Sequence, residues 1–99
     1  MAAQHDLYRL PGGELVVILQ SDLLEGLRTR VVAPLVPAER VGRAMRGLNP
    51  AVSLPRGRFL LMPQLAATLT LGELGERAGS LAAMRDEITR AVDALLSGF

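Results

Sequence analysis

The side chains able to exchange protons, attack a substrate or hold a metal are few in this sequence. His5 is the only histidine, and cysteine is absent. The missing cysteine removes thiol catalysis, thiolate metal sites and disulfide staples together. One histidine close to the chain start, where fraying is expected, does not make a catalytic triad or a histidine metal site. Two pairings remain: Thr29 beside Arg30, and Ser21 beside Asp22. Each joins a hydroxyl to a charged group, the raw material of acid–base work. Neither spacing singles itself out, because turns and solvated surfaces have the same composition. No metal and no cofactor are expected.

Charge is distributed less evenly than the net +1 suggests. Residues 28–58 hold Arg28, Arg30, Arg40, Arg43, Arg46, Arg56 and Arg58 against Glu39 alone, while the segments on either side are acidic. A basic middle third can meet nucleic acid or an acidic protein segment. Only Phe59 is aromatic among these arginines, so stacking on unpaired bases has little support. An acidic, disordered partner is the expectation, with affinity that falls as salt rises.

The elements that position these residues follow from apolar patterning. The 99 residues are expected to form one domain, 1–99, of the mainly β (α+β) class. Asp6–Leu10 and Glu14–Gln20 read as strands joined at Pro11-Gly12-Gly13, a hairpin signal because glycine accepts positive φ. Leu15–Leu19 is apolar on both faces, so this strand is expected to be central. Arg30–Pro37 is a third strand, with Pro34 expected at an edge or bulge because it lacks a ladder donor. Residues 38–48 stay open between helix and loop: Val41, Met45 and Leu48 recur at helical spacing, but Gly42 and Gly47 weaken a helix. Ala51–Leu54 and Arg58–Met62 form another hairpin around Pro55-Arg56-Gly57, and Ala66–Thr70 is a last short strand. The longest apolar runs, Leu15–Leu19 and Phe59–Met62, fall well short of the roughly 20 residues of a membrane span. Residues 1–6 lack a basic region followed by an apolar stretch, so a cytoplasmic protein is expected.

The C-terminal helix is the clearest element. Leu81, Met84, Ile88, Val92 and Leu95 make one apolar stripe, with Gly79-Ser80 as the start signal and Ser80 as the N-cap. Asp86 and Arg90, four apart with the acid first, suit a solvated face. Ser97-Gly98-Phe99 follows. Gly98 suits a left-handed turn after the helix. Phe99 carries both a ring and the terminal carboxylate, so it either folds back onto its own domain or forms an apolar tip for a partner's pocket. An apolar fraction of 49% on so short a chain also points to surface that one protomer cannot bury, and hence to a homodimer.

Leu15–Leu19 followed by Gln20-Ser21-Asp22-Leu23-Leu24, then Arg30-Val31-Val32-Ala33-Pro34-Leu35, resembles the CcdB family of toxins. Asn49-Pro50-Ala51-Val52, the aromatic-led strand from Phe59, and the helix ending in Gly98-Phe99 extend the resemblance over nearly the whole chain. It implies an SH3-like antiparallel barrel with a small accessory sheet and one C-terminal helix, assembled as a homodimer. It further implies a non-enzymatic poison that binds the A subunit of DNA gyrase and traps the cleaved complex. A cognate antitoxin with an acidic, disordered tail would neutralise it. The family's gyrase-contacting positions fall on Leu23, Leu24, Asp93, Ser97, Gly98 and Phe99. Two depart: Ser97 stands where the family has tryptophan, and Asp93 where it has asparagine. Antitoxin contact is assigned to Arg9, Arg40, Arg43 and Arg46.

Two other readings share the fold. One is a MazF-type endoribonuclease toxin, for which Arg30 with Thr29 or Ser21 would supply the chemistry. The other is a non-toxic dimeric interaction module.

Overall fold

Side chains alternate across the sheet, and here both faces are apolar, so the sheet carries a core on each side. The computed structural model describes residues 2–98. Its strands are β1 (Asp6–Arg9), β2 (Leu15–Ile18), β3 (Thr29–Pro37), β4 (Ala51–Leu54), β5 (Gly57–Leu61), β6 (Ala67–Thr70) and β7 (Glu76–Ser80). One helix, α1 (Arg85–Ser97), follows. All strand pairs are antiparallel. They form one sheet in the order β4-β5-β3-β2-β1-β7, with β6 branching from β3. The sheet curls into a half-barrel closed by α1, and β6 is its accessory arm.

Register explains the two cores. Leu7 lies opposite Val17 and Leu15 opposite Leu35, and all four face the inner core, with Leu61, Phe59 and the α1 residue Ile88. Tyr8 opposite Val16, and Ile18 opposite Val32, face the outer core, under Ala2 and Leu74. The unbroken apolar run at 15–19 is therefore a central strand that feeds both cores, as the sequence predicts.

Three expectations need correction. Glu76–Ser80 is a strand on β1, with a register shift between Leu7 and Tyr8. It escapes sequence reading because Glu-Arg-Ala-Gly-Ser has no apolar alternation. The helix consequently starts at Arg85 rather than after Gly79-Ser80. The Ser80 hydroxyl accepts from the Ala82 amide at 3.1 Å, capping a short 3-10 turn instead. Pro34 lies within central β3, not at an edge. Its carbonyl accepts from the Met62 amide at 3.0 Å, and its nitrogen shares that side, where β3 passes from β6 to β5 and no ladder donor is needed. Asp86 and Arg90 are both exposed, the solvated face expected of them, and the Arg90 guanidinium donates to the Asp86 backbone carbonyl at 3.3 Å. Among the described residues the ion pair is Arg77 with the buried Asp6, at 3.2 Å, and that hydrogen bond holds Arg77 above its ordinary pKa.

Residues 38–48, left open by the sequence, form a 3-10 turn at Ala38–Arg40 and then an irregular loop. Buried Asn49 organises its end. Its Oδ1 accepts from the Met45 amide at 3.0 Å, and its Nδ2 donates to the Leu61 carbonyl at 3.1 Å. Among the described residues no helix is long and apolar enough to cross a membrane.

Gly75 is the glycine this path cannot replace. It holds φ +74, and a Cβ there would overlap the Arg9 carbonyl oxygen. Gly75→Ala should lower unfolding free energy by about 2 kcal/mol or more. Gly26→Ala, where a Cβ meets nothing within 4 Å, should stay within about 0.5 kcal/mol of wild type. Urea denaturation of the two variants checks the contrast.

Candidate partner-binding site

Between β2 and β3 the chain makes a turn in which the side chains of Gln20, Ser21 and Asp22 bond to backbone. The Ser21 hydroxyl accepts from the Leu23 amide at 3.1 Å, starting a 3-10 turn over Asp22–Leu24. The Asp22 carboxylate accepts from the Gln4 amide at 2.7 Å. Gln20 spans the turn, donating to the Leu24 carbonyl at 3.2 Å and accepting from the Val31 amide at 3.1 Å. Gln4 donates to the Leu19 carbonyl at 3.0 Å.

Arg30 completes the brace. Only 1% exposed, its guanidinium donates to four backbone carbonyls: Ala2 at 3.0 Å, Leu27 at 2.7 Å, Thr29 at 2.9 Å and Glu25 at 3.1 Å. A buried cation is tolerable when its donors are matched, and here carbonyl dipoles do the matching. The brace displays what the turn carries. Leu23 is 93% exposed, and Leu24 and Leu27 are each 51% exposed.

The end of α1 faces the same region. Ile88 and Ala91 are buried in the first half of the helix, but Leu95 is exposed and Leu96 is 76% exposed. Leu24, Leu27, Val31, Val92, Leu95 and Leu96 line one apolar groove of about 480 Å³. The apolar stripe thus divides: Leu81, Met84 and Ile88 serve the inner core, while Val92 and Leu95 face the groove. Ser97 and Gly98 are exposed beyond it. Gly98 takes the left-handed conformation expected of it, at φ 79, and donates to the Ala94 carbonyl at 3.0 Å. Phe99 lies outside the described residues.

Asp93 is exposed one turn earlier. It borders a small cavity of about 110 Å³ with Gln4, His5 and Val92. His5 is not frayed, contrary to expectation. It sits at φ 71, its amide donates to the Ile18 carbonyl at 2.7 Å, and its carbonyl accepts from Leu81 at 2.8 Å. Burial lowers the His5 pKa most; Asp22 opposes this, Arg85 lowers it further, and Asp6 opposes. Elsewhere, Arg9 and Arg40 stand at two adjoining depressions that share Leu15 and Arg56. Arg43 and Arg46 are exposed on the loop between β3 and β4.

Of the four residues weighed for acid–base work, three serve architecture, and Thr29, half-buried, lines the apolar groove. Arg30 is buried with its guanidinium engaged, Ser21 caps a turn, and Asp22 holds the N-terminal arm. Among the described residues no cluster of three or more metal-ligating side chains occurs. What the site presents is apolar surface on a rigid support.

A family model described as CcdB protein matches residues 4–98. The chain belongs to the CcdB family. Membership supports reading this CcdB chain as the toxin of a toxin–antitoxin pair. Comparison with curated proteins finds no match. Solved structures share the fold at low identity. An endoribonuclease from Mycobacterial species, in complex with its cognate antitoxin, superposes with TM-score 0.79 at 17% identity, covering 97% of this chain and 95% of that one. Another endoribonuclease from Mycobacterial species gives 0.76 at 19%, covering 95% and 89%. MazE-MazF from Deinococcus radiodurans gives 0.67 at 16%, covering 98% and 95%.

Within this CcdB fold, sequence reasoning missed Gln4, Gln20 and the groove residues Leu27, Val31 and Leu96. The signal was present: three polar residues directly before two leucines mark a braced turn. Arg30→Met, similar in length but without donors, leaves four carbonyls unmatched. It should cost about 3 kcal/mol or more in urea denaturation. Arg28→Met, an exposed neighbour, should cost under about 0.5 kcal/mol.

Proposed function

We propose that this protein is a cytoplasmic toxin that acts as a homodimer, binds the A subunit of DNA gyrase and traps its cleaved complex, and is neutralised by an acidic antitoxin tail. The observation that carries the reading is Leu23, 93% exposed on a turn braced by Gln20, Ser21, Asp22 and Arg30. An aliphatic side chain held rigidly in water loses little entropy on docking and gains burial, which suits an interface anchor. Leu23, Leu24, Asp93, Ser97, Gly98 and Phe99 are the proposed gyrase contacts. Arg9, Arg40, Arg43 and Arg46 are the proposed antitoxin contacts.

RNA cleavage is the competing reading, because the solved structures of this fold named above are endoribonucleases. Arg30, which both pairs offered for it here share, does not support it. The Arg30 guanidinium is turned to backbone carbonyls, and the Ser21 hydroxyl is held by the Leu23 amide.

Gyrase cleavage and RNA cleavage assays run side by side separate the two. Purified protein should raise the yield of cleaved DNA with gyrase and leave RNA intact. Leu23→Asp should abolish the gyrase effect with an unchanged denaturation midpoint. Deleting residues 97–99 should do the same. Ser97→Trp should strengthen inhibition, since an aromatic anchor at an interface contributes about 2 kcal/mol or more. RNA cleavage with no gyrase effect would overturn the reading.

The apolar groove is the proposed two-fold interface, where the same patch serves both copies. Sedimentation equilibrium at micromolar concentration should give a dimer, and Val31→Glu a monomer. A monomeric wild type would reject the assignment.

A further inference from the structure

Eleven arginines and no lysine give an arginine-directed endopeptidase eleven peptide bonds to choose from. Such an enzyme draws several residues of extended chain into its cleft, so a bonded segment must open before it is cut. The bonds after Arg9, Arg58 and Arg77 lie in strands with ladder partners. Arg85 and Arg90 are in α1, and Arg30 is buried. The Arg28 carbonyl accepts from the Leu71 amide at 3.1 Å, and just after Arg40 the Val41 amide donates to the Ala38 carbonyl at 3.2 Å. Arg56 sits in the tight hairpin turn that enters β5 at Gly57.

The loop after β3 is different. Residues 42–47 are exposed without a break. Among the described residues, Gly42, Arg43 and Ala44 make no backbone hydrogen bond. Gly42 and Ala44 also leave Arg43 without bulky neighbours, so a cleft can close over it. The bond after Arg46 is less free. Gly47 holds φ 81, and the Leu48 amide closes a turn on the Met45 carbonyl at 3.1 Å. Asn49 pins that turn through the Met45 amide.

We propose that this loop is a processing site, where an arginine-directed endopeptidase hydrolyses the peptide bond between Arg43 and Ala44 and leaves a two-piece protein that keeps its fold and its exposed leucine turn. Water adds across the amide as its C–N bond breaks. Arg43 gains a carboxylate and Ala44 an ammonium group. The inference goes beyond the gyrase and antitoxin reading and does not depend on it.

The pieces stay together because the sheet is threaded across the cut. On the first piece, β3 pairs with β5 and β6 of the second, and β1 pairs with β7. The inner core mixes Leu15, Val17 and Leu35 with Phe59, Leu61 and Ile88. Leu23 and every carbonyl that engages Arg30 lie on the first piece. The Met45–Asn49 bond lies wholly on the second. A further cut after Arg46 is another matter. It frees residues 44–46 and leaves the Oδ1 of buried Asn49 without its donor. One cut is tolerated, and the second is not.

The test treats native full-length protein with a trace of trypsin and follows it by intact-mass spectrometry and size-exclusion chromatography. The first products should be the pair 1–43 and 44–99, eluting together as one species of unchanged size at micromolar concentration. Arg43→Gln should slow the appearance of any nicked product at least about tenfold without moving the thermal midpoint. The nicked protein should keep whatever gyrase effect the uncut protein has. A first cut after Arg28, Arg46 or Arg56, an undiminished rate in the Arg43→Gln variant, or pieces that separate on the column would each overturn the proposal. So would loss on nicking of a gyrase effect that the uncut protein shows. The mass and elution readouts make no use of gyrase, so they stand even where the gyrase reading fails.

Discussion

A single buried cation organises the working end of this molecule. Arg30 reaches from β3 to carbonyls of the N-terminal arm and of the 25–29 segment. These bonds are charge-assisted, and charge-assisted hydrogen bonds are roughly twice as strong as neutral ones. The guanidinium supplies its donors in a fixed fork, so it also sets the direction from which each carbonyl approaches. Lysine at this position would offer a compact ammonium on a flexible stem and could not span the same four oxygens. The display of Leu23 and Leu24 is in this sense a consequence of Arg30.

The two-faced sheet imposes the second constraint. With cores on both sides, the sheet needs covering twice over, and the described residues supply one long helix. That helix buries Ile88 and Ala91 against the inner core and leaves Leu95 and Leu96 beyond it. The outer core is covered by Ala2 and Leu74, from short segments tied down by Arg30 and by the turn before Gly75. That turn is held by Glu73, whose carboxylate accepts from the Thr70 amide and hydroxyl; these bonds keep its pKa below the ordinary range. Exposed leucines near the helix end are thus what remains after a small chain has covered two cores.

Much of this was legible in the residues. The run Leu15–Leu19 announced a central strand, the proline–glycine breaks announced both hairpins, and the spacing of Met84, Ile88 and Val92 announced the helix. What stayed hidden depends on partners far away in the chain. Glu76–Ser80 is a strand only because β1 offers it a ladder, and Pro34 is tolerated centrally only because two neighbouring strands meet beside it. The candidate site was half legible. The paired leucines and the glycine after the helix stood out. Yet Arg30 read as a free cation because the four carbonyls that engage it come from backbone, and backbone carries no residue-type signal.

The same bonds decide what kind of chemistry is left. A guanidinium can act on a substrate only while it has a donor turned toward it, and that of Arg30 is turned onto four backbone carbonyls. Apolar burial is what the exposed leucines offer, and its magnitude bears on the departure at position 97. Replacing an interface tryptophan with serine removes about 2 kcal/mol, near thirtyfold in affinity. Full burial of an exposed leucine contributes about 1.5–3 kcal/mol. Leu23 and Leu96 are the two most exposed large apolar side chains among the described residues; Leu96 lines the groove, while Leu23 stands outside it on the turn. Burial of Leu23 at a partner interface is of the size needed to offset the missing ring. A serine at position 97 is therefore compatible with partner binding, provided the partner's surface follows the leucines rather than the family's aromatic pocket.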